Sequence, residues 1–391
     1  MDGTQTEDLV ELNRRNYLAA LSGLGISGAA LNYLSKDVLA ETTENPEKEV
    51  PVLTKWRHSS HDEFVAGEKR ERKPVYETIP RRDWYIIKSA YNAAENFRNS
   101  ETVSEFGSNI KIGVRNDGTQ GKSIVADYTI LLDPEGNIIS KPEIKFREFE
   151  QEIPAHVQGV AGEEADVETY KADIPIVPNK IYKKQQYFNC DYRPVPGGCA
   201  ISTSAGAGAT LGTPAYDADV NKDVLVTAGH VVDESGLQEV YQDYGEDDKV
   251  GTENNSQYIV NGDFDAVTLD LSDGINVNYR LATDTCDEFK YDIYGAVTHD
   301  GLINMQHFEE TIYMQGRSAG VGEDNPGIID TIYETDFRDS CDSQSGDSGG
   351  PHYDVDNGNE AYIAGIHGGS ASGYAYATKQ RSIEEEWGLY T

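Results

Sequence analysis

The chain has 391 residues, of which 68 are Asp or Glu and 33 are Lys or Arg, so its formal net charge is −35. A surface with this charge repels nucleic acid and anionic membranes, and we expect neither as a partner. The charge is uneven, because residues 186–391 contain 37 acidic and 9 basic side chains and carry −28, whereas the rest of the chain carries −7. The length allows two or three domains.

The first 40 residues are typical of an export signal. Arg14 and Arg15 lie within residues 13–18, which resemble a twin-arginine motif, and an apolar stretch of 17 residues follows at 18–34. That stretch is short for a membrane span. Cleavage after Ala40 is expected to release an extracellular protein with no stable membrane insertion. A soluble amphipathic helix and an uncleaved membrane anchor are the alternatives.

Two further segments precede the motifs that carry chemistry. Residues 41–80 are polar and weakly patterned, which indicates a linker. Helical periodicity begins at Trp84, with Asp83 as a candidate N-cap, and β-rich runs separated by turn sequences follow. Residues 81–185 are therefore predicted to form a small α+β module that contains no catalytic motif.

The rest of the chain alternates short β-prone runs with Gly and Asx turns, which is typical of antiparallel barrels. One run, residues 224–232, ends in Thr-Ala-Gly-His-Val-Val and contains His230, and a later loop reads Gly-Asp-Ser-Gly-Gly-Pro around Ser348. Between them, Asp265 precedes Ala-Val, and Asp263 would share its strand face. A nucleophilic Ser needs a base and a third group that orients the base, and these residues supply one of each.

The motifs of His230, Asp265 and Ser348, in that order, resemble those of the trypsin- and chymotrypsin-like serine proteases. The intervals of 35 and 83 residues between them are similar to those of compact microbial members, the streptogrisin and glutamyl endopeptidase groups. The resemblance covers residues 186–391. It implies an all-β fold of two six-stranded antiparallel barrels, and a serine-type endopeptidase that hydrolyses proteins or peptides without a cofactor.

The resemblance also implies a mechanism. Ser348 attacks the scissile carbonyl to form an acyl-enzyme, His230 transfers the proton, and Asp265, favoured over Asp263 by the Ala-Val that follows it, orients the imidazole. The backbone N–H groups of Gly346 and Ser348 are expected to form an oxyanion hole, in which each donor is worth ~3–4 kcal/mol in comparable sites.

Other residues of the nucleophile loop have expected roles as well. Gly349 and Gly350 are expected to leave room where the substrate backbone approaches. Asp347 is expected to lock the loop through an ion pair, with Arg317 as a candidate partner.

The α+β module at residues 81–185 has two interpretations. Secreted microbial proteases of this family often carry an α+β propeptide, so the resemblance implies that the module acts as an intramolecular inhibitor or folding chaperone. A permanent accessory domain is the alternative that the sequence leaves open.

Two signals for substrate specificity point in opposite directions. Asp342 lies six residues before Ser348, at the offset where trypsins carry the Asp that pairs with a basic P1 side chain. His367 lies in Gly-Ile-His-Gly-Gly, which includes Gly369 and is similar to the segment whose His contacts an acidic P1 side chain in glutamyl endopeptidases. The Trp of that segment is replaced by Gly368, and a structural role for His367 is a further alternative.

The chain has four cysteines, and an exported protein is expected to form disulfides. The favoured pairs are Cys190–Cys199 and Cys286–Cys341, one of three pairings that four cysteines allow. No Cys-x-x-Cys spacing indicates zinc, and acidic clusters indicate a solvated surface more than a calcium site.

The Asp/Glu-rich, Lys-poor composition resembles that of proteins from salt-loving archaea, in which salt screens the self-repulsion. We therefore expect salt-dependent stability.

Two other functional classes fit parts of the pattern. A catalytically inactive binding protein on the same fold would usually have lost the Ser, His or Asp, and none is lost here. A serine esterase of the α/β-hydrolase type would carry Ser before His in the chain, which is the reverse of the order here.

Overall fold

The computed structural model describes residues 49–106, 110–116, 121–129, 142–161, 170–181, 192–204, 208–232, 238–242, 248–283, 289–320, 325–356 and 358–391. No helix in these ranges is long and apolar enough to cross a membrane. The predicted export signal at residues 1–40, and the cysteines Cys190 and Cys286, lie outside the described residues.

A β-hairpin occupies residues 49–80, which the sequence indicated to be a polar linker. Its strands are β1 (Glu49–His58) and β2 (Arg72–Pro80), and helix α1 (His61–Val65) lies in their connection. The structure corrects the linker prediction. Val50 and Val52 of β1 are buried in a core cluster. Most of their partners in that cluster are distant in the sequence, so the residues around β1 gave no local signal of a strand.

The predicted α+β module follows. Its elements are α2 (Arg81–Arg98), α3 (Glu101–Phe106), β3 (Ile110–Asn116), β4 (Lys122–Thr129), α4 (Pro142–Glu152), β5 (His156–Ala161) and β6 (Tyr170–Ile181). The sheet order is β3-β4-β6-β5, and α2 packs against it through a buried stripe that includes Phe97. Helix α2 begins two residues before Asp83, so that residue is not its N-cap.

A first closed barrel comes next. Its elements are β8 (Ala200–Thr203), β9 (Gly208–Thr210), β10 (Thr213–Asp217), β11 (Lys222–Thr227), β12 (Glu239–Tyr241), β13 (Lys249–Val260) and β14 (Asp265–Leu271), with the short strand β7 (Val195–Gly197) before them. β9 and β10 are two halves of one bent strand, of which β9 pairs with β8 and β10 with β11. The ring closes through β14, β13 and β12 back to β8, and every pairing in it is antiparallel.

A second closed barrel follows. The remaining elements are β15 (Val277–Ala282), β16 (Phe289–Val297), α5 (His299–Phe308), β17 (Thr311–Met314), β18 (Pro326–Ile332), β19 (Asp336–Asp339), β20 (Pro351–Asp356), β21 (Glu360–Ala371), β22 (Tyr374–Lys379), α6 (Gln380–Trp387) and β23 (Leu389–Tyr390). The ring runs β17-β18-β19-β22-β21-β20 and back to β17, again entirely antiparallel. The predicted pair of six-stranded antiparallel barrels after an α+β module is confirmed.

The N-terminal elements extend the sheet of the second barrel. β1 pairs with β16, which pairs in parallel with β21, and β3 pairs with β18. One core cluster joins side chains of the hairpin and α2 to those of the second barrel and α5. The first barrel has a separate core, to which Ile366 of β21 also contributes, so the two barrels contact each other along this strand.

The predicted disulfides are not formed. Cys199 and Cys341 are both buried thiols that form no disulfide, and they belong to the cores of different barrels. The sulfur of Cys199 lies 3.0 Å from Nε2 of Gln242, and that of Cys341 lies 3.6 Å from the carbonyl oxygen of Ile312. Sequence spacing could not reveal that both side chains point into packed cores.

Candidate active site

His230 lies at the end of a buried strand. The apolar residues Val224, Leu225 and Val226 of β11 are fully buried, and a single turn of 3-10 helix, Gly229–Val231, follows the strand. A Cβ at Gly229 would lie 2.6 Å from Cγ2 of Val260, so only glycine lets the turn pack this closely. The turn leaves the side chain of His230 one-third exposed.

Asp265, the first residue of β14, contacts His230 through both carboxylate oxygens. Oδ2 lies 2.5 Å from Nδ1 of the imidazole, and Oδ1 accepts the backbone N–H of His230 at 2.9 Å. The backbone N–H of Asp265 donates to Oγ1 of Thr378 in the second barrel at 3.0 Å. The carboxylate therefore fixes both the ring and the backbone of the histidine.

The alternative carboxylate, Asp263, lies elsewhere. Its side chain is 55% exposed, and its Oδ1 lies 3.3 Å from Nζ of Lys111. The structure thus brings Asp265, and not Asp263, to His230.

Ser348 lies in the loop between β19 and β20, and this loop packs against the first barrel. The backbone N–H of Thr210 donates to the carbonyl oxygen of Ser348 at 2.9 Å, and Oγ1 of Thr210 donates to that of Gly346 at 2.7 Å. A Cβ at Gly349 would lie 2.1 Å from Oγ1 of Thr227, at the end of the strand that leads to His230. The serine loop of one barrel therefore lies against the histidine strand of the other.

The glycines of this loop serve packing and backbone conformation. Gly346 and Gly349 have φ of +95° and +90°, a region that strongly favours glycine. A Cβ at Gly350 would lie 2.2 Å from the carbonyl oxygen of Gln315. Gly349 and Gly350 are thus required by contacts within the protein, which corrects the expectation that they make room for substrate.

Two backbone donors of the loop are available. In the described part of the chain, the N–H groups of Asp347, Gly349 and Gly350 have backbone carbonyl acceptors, whereas those of Gly346 and Ser348 have no protein acceptor. These are the two groups that the sequence indicated for an oxyanion hole, in which unoccupied donors must converge on a developing charge.

Asp347 is held by backbone amides. Its Oδ1 accepts the N–H groups of Ser318 at 2.6 Å and Ala319 at 3.0 Å, and its Oδ2 accepts that of Gln344 at 2.7 Å. Burial raises the pKa of this carboxyl, and the three N–H donors oppose that shift. The guanidinium of Arg317 lies instead next to Gly208 of the first barrel, so the expected ion pair with Asp347 is replaced by these amide contacts.

His367 belongs to a buried polar chain that the sequence did not reveal. Its Nδ1 lies 3.1 Å from Nε2 of His352, and Nδ1 of His352 lies 2.7 Å from Oδ2 of Asp339. All three residues are at least 99% buried. Gly350 and His367 are joined by a backbone hydrogen bond of 2.8 Å, so this chain lies directly behind the serine loop. The three side chains come from three different strands, so no local signal in the sequence could have found them.

The same cluster includes three atoms of metal-ligating type. Asp339, Cys341 and His352 place one such atom each within 4.8 Å of one another. The carboxylate already accepts the backbone N–H of Cys341 at 2.9 Å in addition to its contact with His352. Burial raises the pKa of the Cys341 thiol, which disfavours the thiolate that binds metals. The cluster is therefore satisfied by its own hydrogen bonds.

Asp342 lines a cavity of about 160 Å³. The other lining residues are Cys341, Ser343, Ser370, Ala371, Ser372, Gly373 and Tyr374. Asp342 itself is exposed, and its backbone is fixed by Asn325 through two hydrogen bonds of 2.6 and 2.7 Å. The cavity lies at the end of β21, three residues beyond His367, or roughly 10 Å along the strand. Gly369 pairs with Tyr376 between them.

The chain is similar to known proteins in fold alone. No model of a known protein family matches the chain, and no curated protein matches its sequence. Solved structures with a similar fold are serine proteases. A Nocardiopsis protease is 17% identical with a TM-score of 0.36, and the match covers 50% of this chain and 97% of that one.

Two further structures are similar to the same degree. A protease described as specific for glutamic acid, with a histidine triad in substrate binding, is 18% identical with a TM-score of 0.36, over 50% of this chain and 100% of its own. A Cellulomonas bogoriensis chymotrypsin is 16% identical with a TM-score of 0.35, over 50% of this chain and 96% of its own. At such low identities and scores, none of these likenesses contributes to the assignment of residues below.

Proposed function

We propose that the chain is a serine endopeptidase that hydrolyses peptide bonds through an acyl-enzyme. Ser348 Oγ attacks the scissile carbonyl carbon, and His230 accepts the hydroxyl proton and returns it to the leaving amine. Asp265 holds the imidazole in the required tautomer and stabilises the imidazolium. The N–H groups of Gly346 and Ser348 receive the oxyanion, and a water molecule then releases the acyl group by the same steps in reverse.

The contact between Nδ1 of His230 and Oδ2 of Asp265 at 2.5 Å is the observation that carries this proposal. Together with the backbone contact at 2.9 Å it fixes the imidazole at the seam between the barrels. The serine loop of the opposite barrel packs against the same seam through Gly349. A base with its orienting carboxylate, and two N–H donors without a protein acceptor in the described loop, support the proposal of acyl transfer.

For the P1 residue, we propose a basic side chain. Asp342 is exposed and lines the cavity at the end of β21, where its carboxylate would pair with Lys or Arg. His367 is 1% exposed and is not among the residues that line this cavity. We therefore assign His367 a structural role behind the serine loop.

We also propose that the protein is exported and acts outside the cell in high salt. The support comes from the sequence alone: the arginine pair, the apolar stretch after it and the acidic composition.

Labelling with a fluorophosphonate tests the enzymatic proposal. Wild-type protein and a Ser256→Ala variant, in which an exposed serine of the first barrel is removed, should both be labelled, whereas Ser348→Ala should not. The variants that take the label are then assayed with peptide and with ester substrates. Hydrolysis of peptides indicates a peptidase, and hydrolysis of esters alone indicates an esterase. Equal labelling of Ser348→Ala and wild type, or no labelling of wild type, would contradict the proposal.

Cleavage of a peptide library tests the specificity. We expect cleavage after Lys and Arg, with kcat/KM for these peptides reduced about tenfold or more in Asp342→Asn, because a charge-assisted pair is lost. Preference for acidic P1 residues that disappears in His367→Gln would reverse the assignment of the two residues.

A further inference from the structure

Lys111 connects the N-terminal module to the segment that carries the catalytic carboxylate. It lies on β3, outside both barrels, and its Nζ is 2.7 Å from Oδ2 of Asp336 and 3.3 Å from Oδ1 of Asp263. Its side chain is 14% exposed and that of Asp336 is 5% exposed. Burial alone lowers the pKa of Lys111, but the two carboxylates raise it above its ordinary value, so the cation persists throughout the working range of pH.

Both carboxylates that contact Lys111 belong to residues close to Asp265, one in sequence and one through a hydrogen-bonded neighbour. Asp263 stands two residues before it, and the carbonyl oxygen of Asp263 also accepts a hydrogen bond of 2.8 Å from Thr335 Oγ1. Asp336 is the strand partner of Thr378, whose hydroxyl accepts the backbone N–H of Asp265. The ammonium of Lys111 therefore bridges two supports of the catalytic carboxylate, one from each barrel.

The module that provides Lys111 is built into the second barrel. Arg338 of β19 and Asp127 of β4 form an ion pair of 2.8 Å in which both side chains are fully buried. β3 continues the barrel sheet by pairing Thr331 with Arg115. Removal of the module would leave the guanidinium of Arg338 with Asp330 as its remaining carboxylate partner and would open one face of the barrel core.

The hairpin of β1 and β2 also packs closely against the second barrel. A Cβ at Gly301 of α5 would lie 2.0 Å from the carbonyl oxygen of Thr54, and one at Gly295 of β16 would lie 1.9 Å from that of Trp56. These two glycines of the catalytic part let β1 approach its backbone directly. A segment that is removed on maturation would not require such a fit in the mature enzyme.

We propose that Lys111 is a positioning residue for Asp265, and that residues 49–181 remain bound in the active enzyme as a permanent part of its fold. The proposal rests on the proposed endopeptidase activity. The sequence left open whether the N-terminal module is a removable propeptide or a permanent domain, and we favour the permanent domain.

Kinetics of Lys111 variants test the positioning role. Lys111→Met should lower kcat about tenfold with KM nearly unchanged, because a small displacement of the orienting carboxylate weakens the base without altering the substrate pocket. It should also shift the downfield proton resonance of the His230 Nδ1–H. Lys111→Arg should restore most of kcat, and Lys171→Met, which removes an exposed lysine of β6 in the same module, should match wild type.

An unaltered kcat and an unaltered His230 resonance in folded Lys111→Met would overturn the positioning role. If that variant does not fold, Asp263→Asn carries the test, because it keeps the pair between Lys111 and Asp336 and removes only the negative charge of residue 263 opposite Lys111. A fall in kcat with an unchanged KM is expected there too, and wild-type kinetics would overturn the proposal.

The mass of the active species tests whether residues 49–181 remain in the active enzyme. Secreted protein is labelled with a fluorophosphonate, purified under native conditions and measured by intact mass spectrometry. We expect the labelled species to contain residues 49–181, in one chain or as a bound fragment. A labelled species that begins after residue 181 would overturn the proposal, whereas a full-length species that takes no label would contradict the endopeptidase activity instead.

Discussion

The geometry of a single side chain decides which carboxylate belongs to the site. Asp265 and Asp263 both follow from the sequence, but only Asp265 makes two contacts with His230, at 2.5 and 2.9 Å. Asp265→Asn should therefore lower kcat by about 10⁴, because the amide favours the wrong imidazole tautomer. Asp263→Asn, at a carboxylate that does not contact the imidazole, should cost only about tenfold. Equal losses measured by steady-state kinetics would contradict the assignment.

Lys379, the last residue of β22, is a buried amine. Its ammonium is fully buried and contacts the carbonyl oxygens of Tyr333 and Glu334 at 2.5 and 2.8 Å and Nδ1 of His299 at 3.0 Å. Burial lowers its pKa from 10.5 to about 7, against the opposing effect of Asp336. Between these values the unfolded chain binds more protons than the folded one, so the free energy of unfolding should rise with pH.

The slope attributable to Lys379 is at most ~1.4 kcal/mol per pH unit. This stabilisation is present above pH 10.5 and is lost as the pH falls towards 7. Urea unfolding at several pH values should show a shallower slope in Lys379→Met than in wild type. Identical slopes for the two proteins would contradict the burial of a titrating amine at this position.

At the scale of elements, the loop of Ser348 depends on glycine for two separable reasons. Gly349 combines a φ of +90° with a Cβ position 2.1 Å from Thr227 Oγ1, whereas Gly358, between β20 and β21, has a φ of +83° and open space around it. Gly358→Ala should thus cost only the backbone strain of ~1 kcal/mol. Gly349→Ala should in addition displace the loop away from the first barrel, and the rate of fluorophosphonate labelling should fall by a factor of about 10² or more.

The two alanine variants separate strain from contact. The melting temperature of Gly358→Ala gives the cost of the strain alone, and the labelling rate reports the contact that only Gly349 makes. Equal labelling rates in both would show that the loop does not need its close approach to β11.

The elements that could be predicted from the sequence are those whose signal is local. The apolar run of β11 before His230 and the Gly-rich loop around Ser348 both carry their motif within a few residues. Helix α2 was recognisable from its apolar periodicity.

Elements whose partners are distant could not be predicted. β1 pairs with β16, about 240 residues later, and the polar residues that surround its apolar ones gave residues 49–80 the composition of a linker. The chain from Asp339 through His352 to His367 combines three strands of one barrel, and no spacing in the sequence connects them. The proposed disulfides failed for the same reason, because spacing does not reveal which core a thiol enters.

At the scale of the whole molecule, the uneven charge of the sequence has a structural counterpart. Cations of the N-terminal part pair with anions of the two barrels. The pairs are Lys55–Asp354, Arg57–Glu360, Arg70–Asp223, Arg72–Glu384, Lys88–Asp300, Arg98–Glu334 and Lys111–Asp336. The hairpin and the module thus supply counter-charges to barrels that have only 9 basic residues of their own, which agrees with the proposal that they are retained.

Residues 186–391 contain 37 acidic and only 9 basic side chains, so carboxylates repel one another over the surface of the barrels. Their mutual repulsion is screened within about 10 Å at 0.1 M salt and within about 3 Å at 1 M. The melting temperature should therefore rise between 0.1 and 2 M KCl, since the half-buried pairs across the interface are screened less than the open surface. A scan in sucrose controls for general exclusion of solutes from the surface. A melting temperature that is constant or falls with KCl would contradict this expectation.

We expect the two barrels to bring His230 and Ser348 together as base and nucleophile. A crystal structure of the fluorophosphonate adduct would show both side chains and the bound phosphonate at once. We expect phosphorus bonded to Oγ of Ser348, one phosphonate oxygen ~2.7–3.1 Å from the N–H groups of Gly346 and Ser348, and Nε2 of His230 within hydrogen-bond distance of the adduct. An adduct on another residue, or an imidazole of His230 that stays beyond the reach of the adduct, would contradict the account.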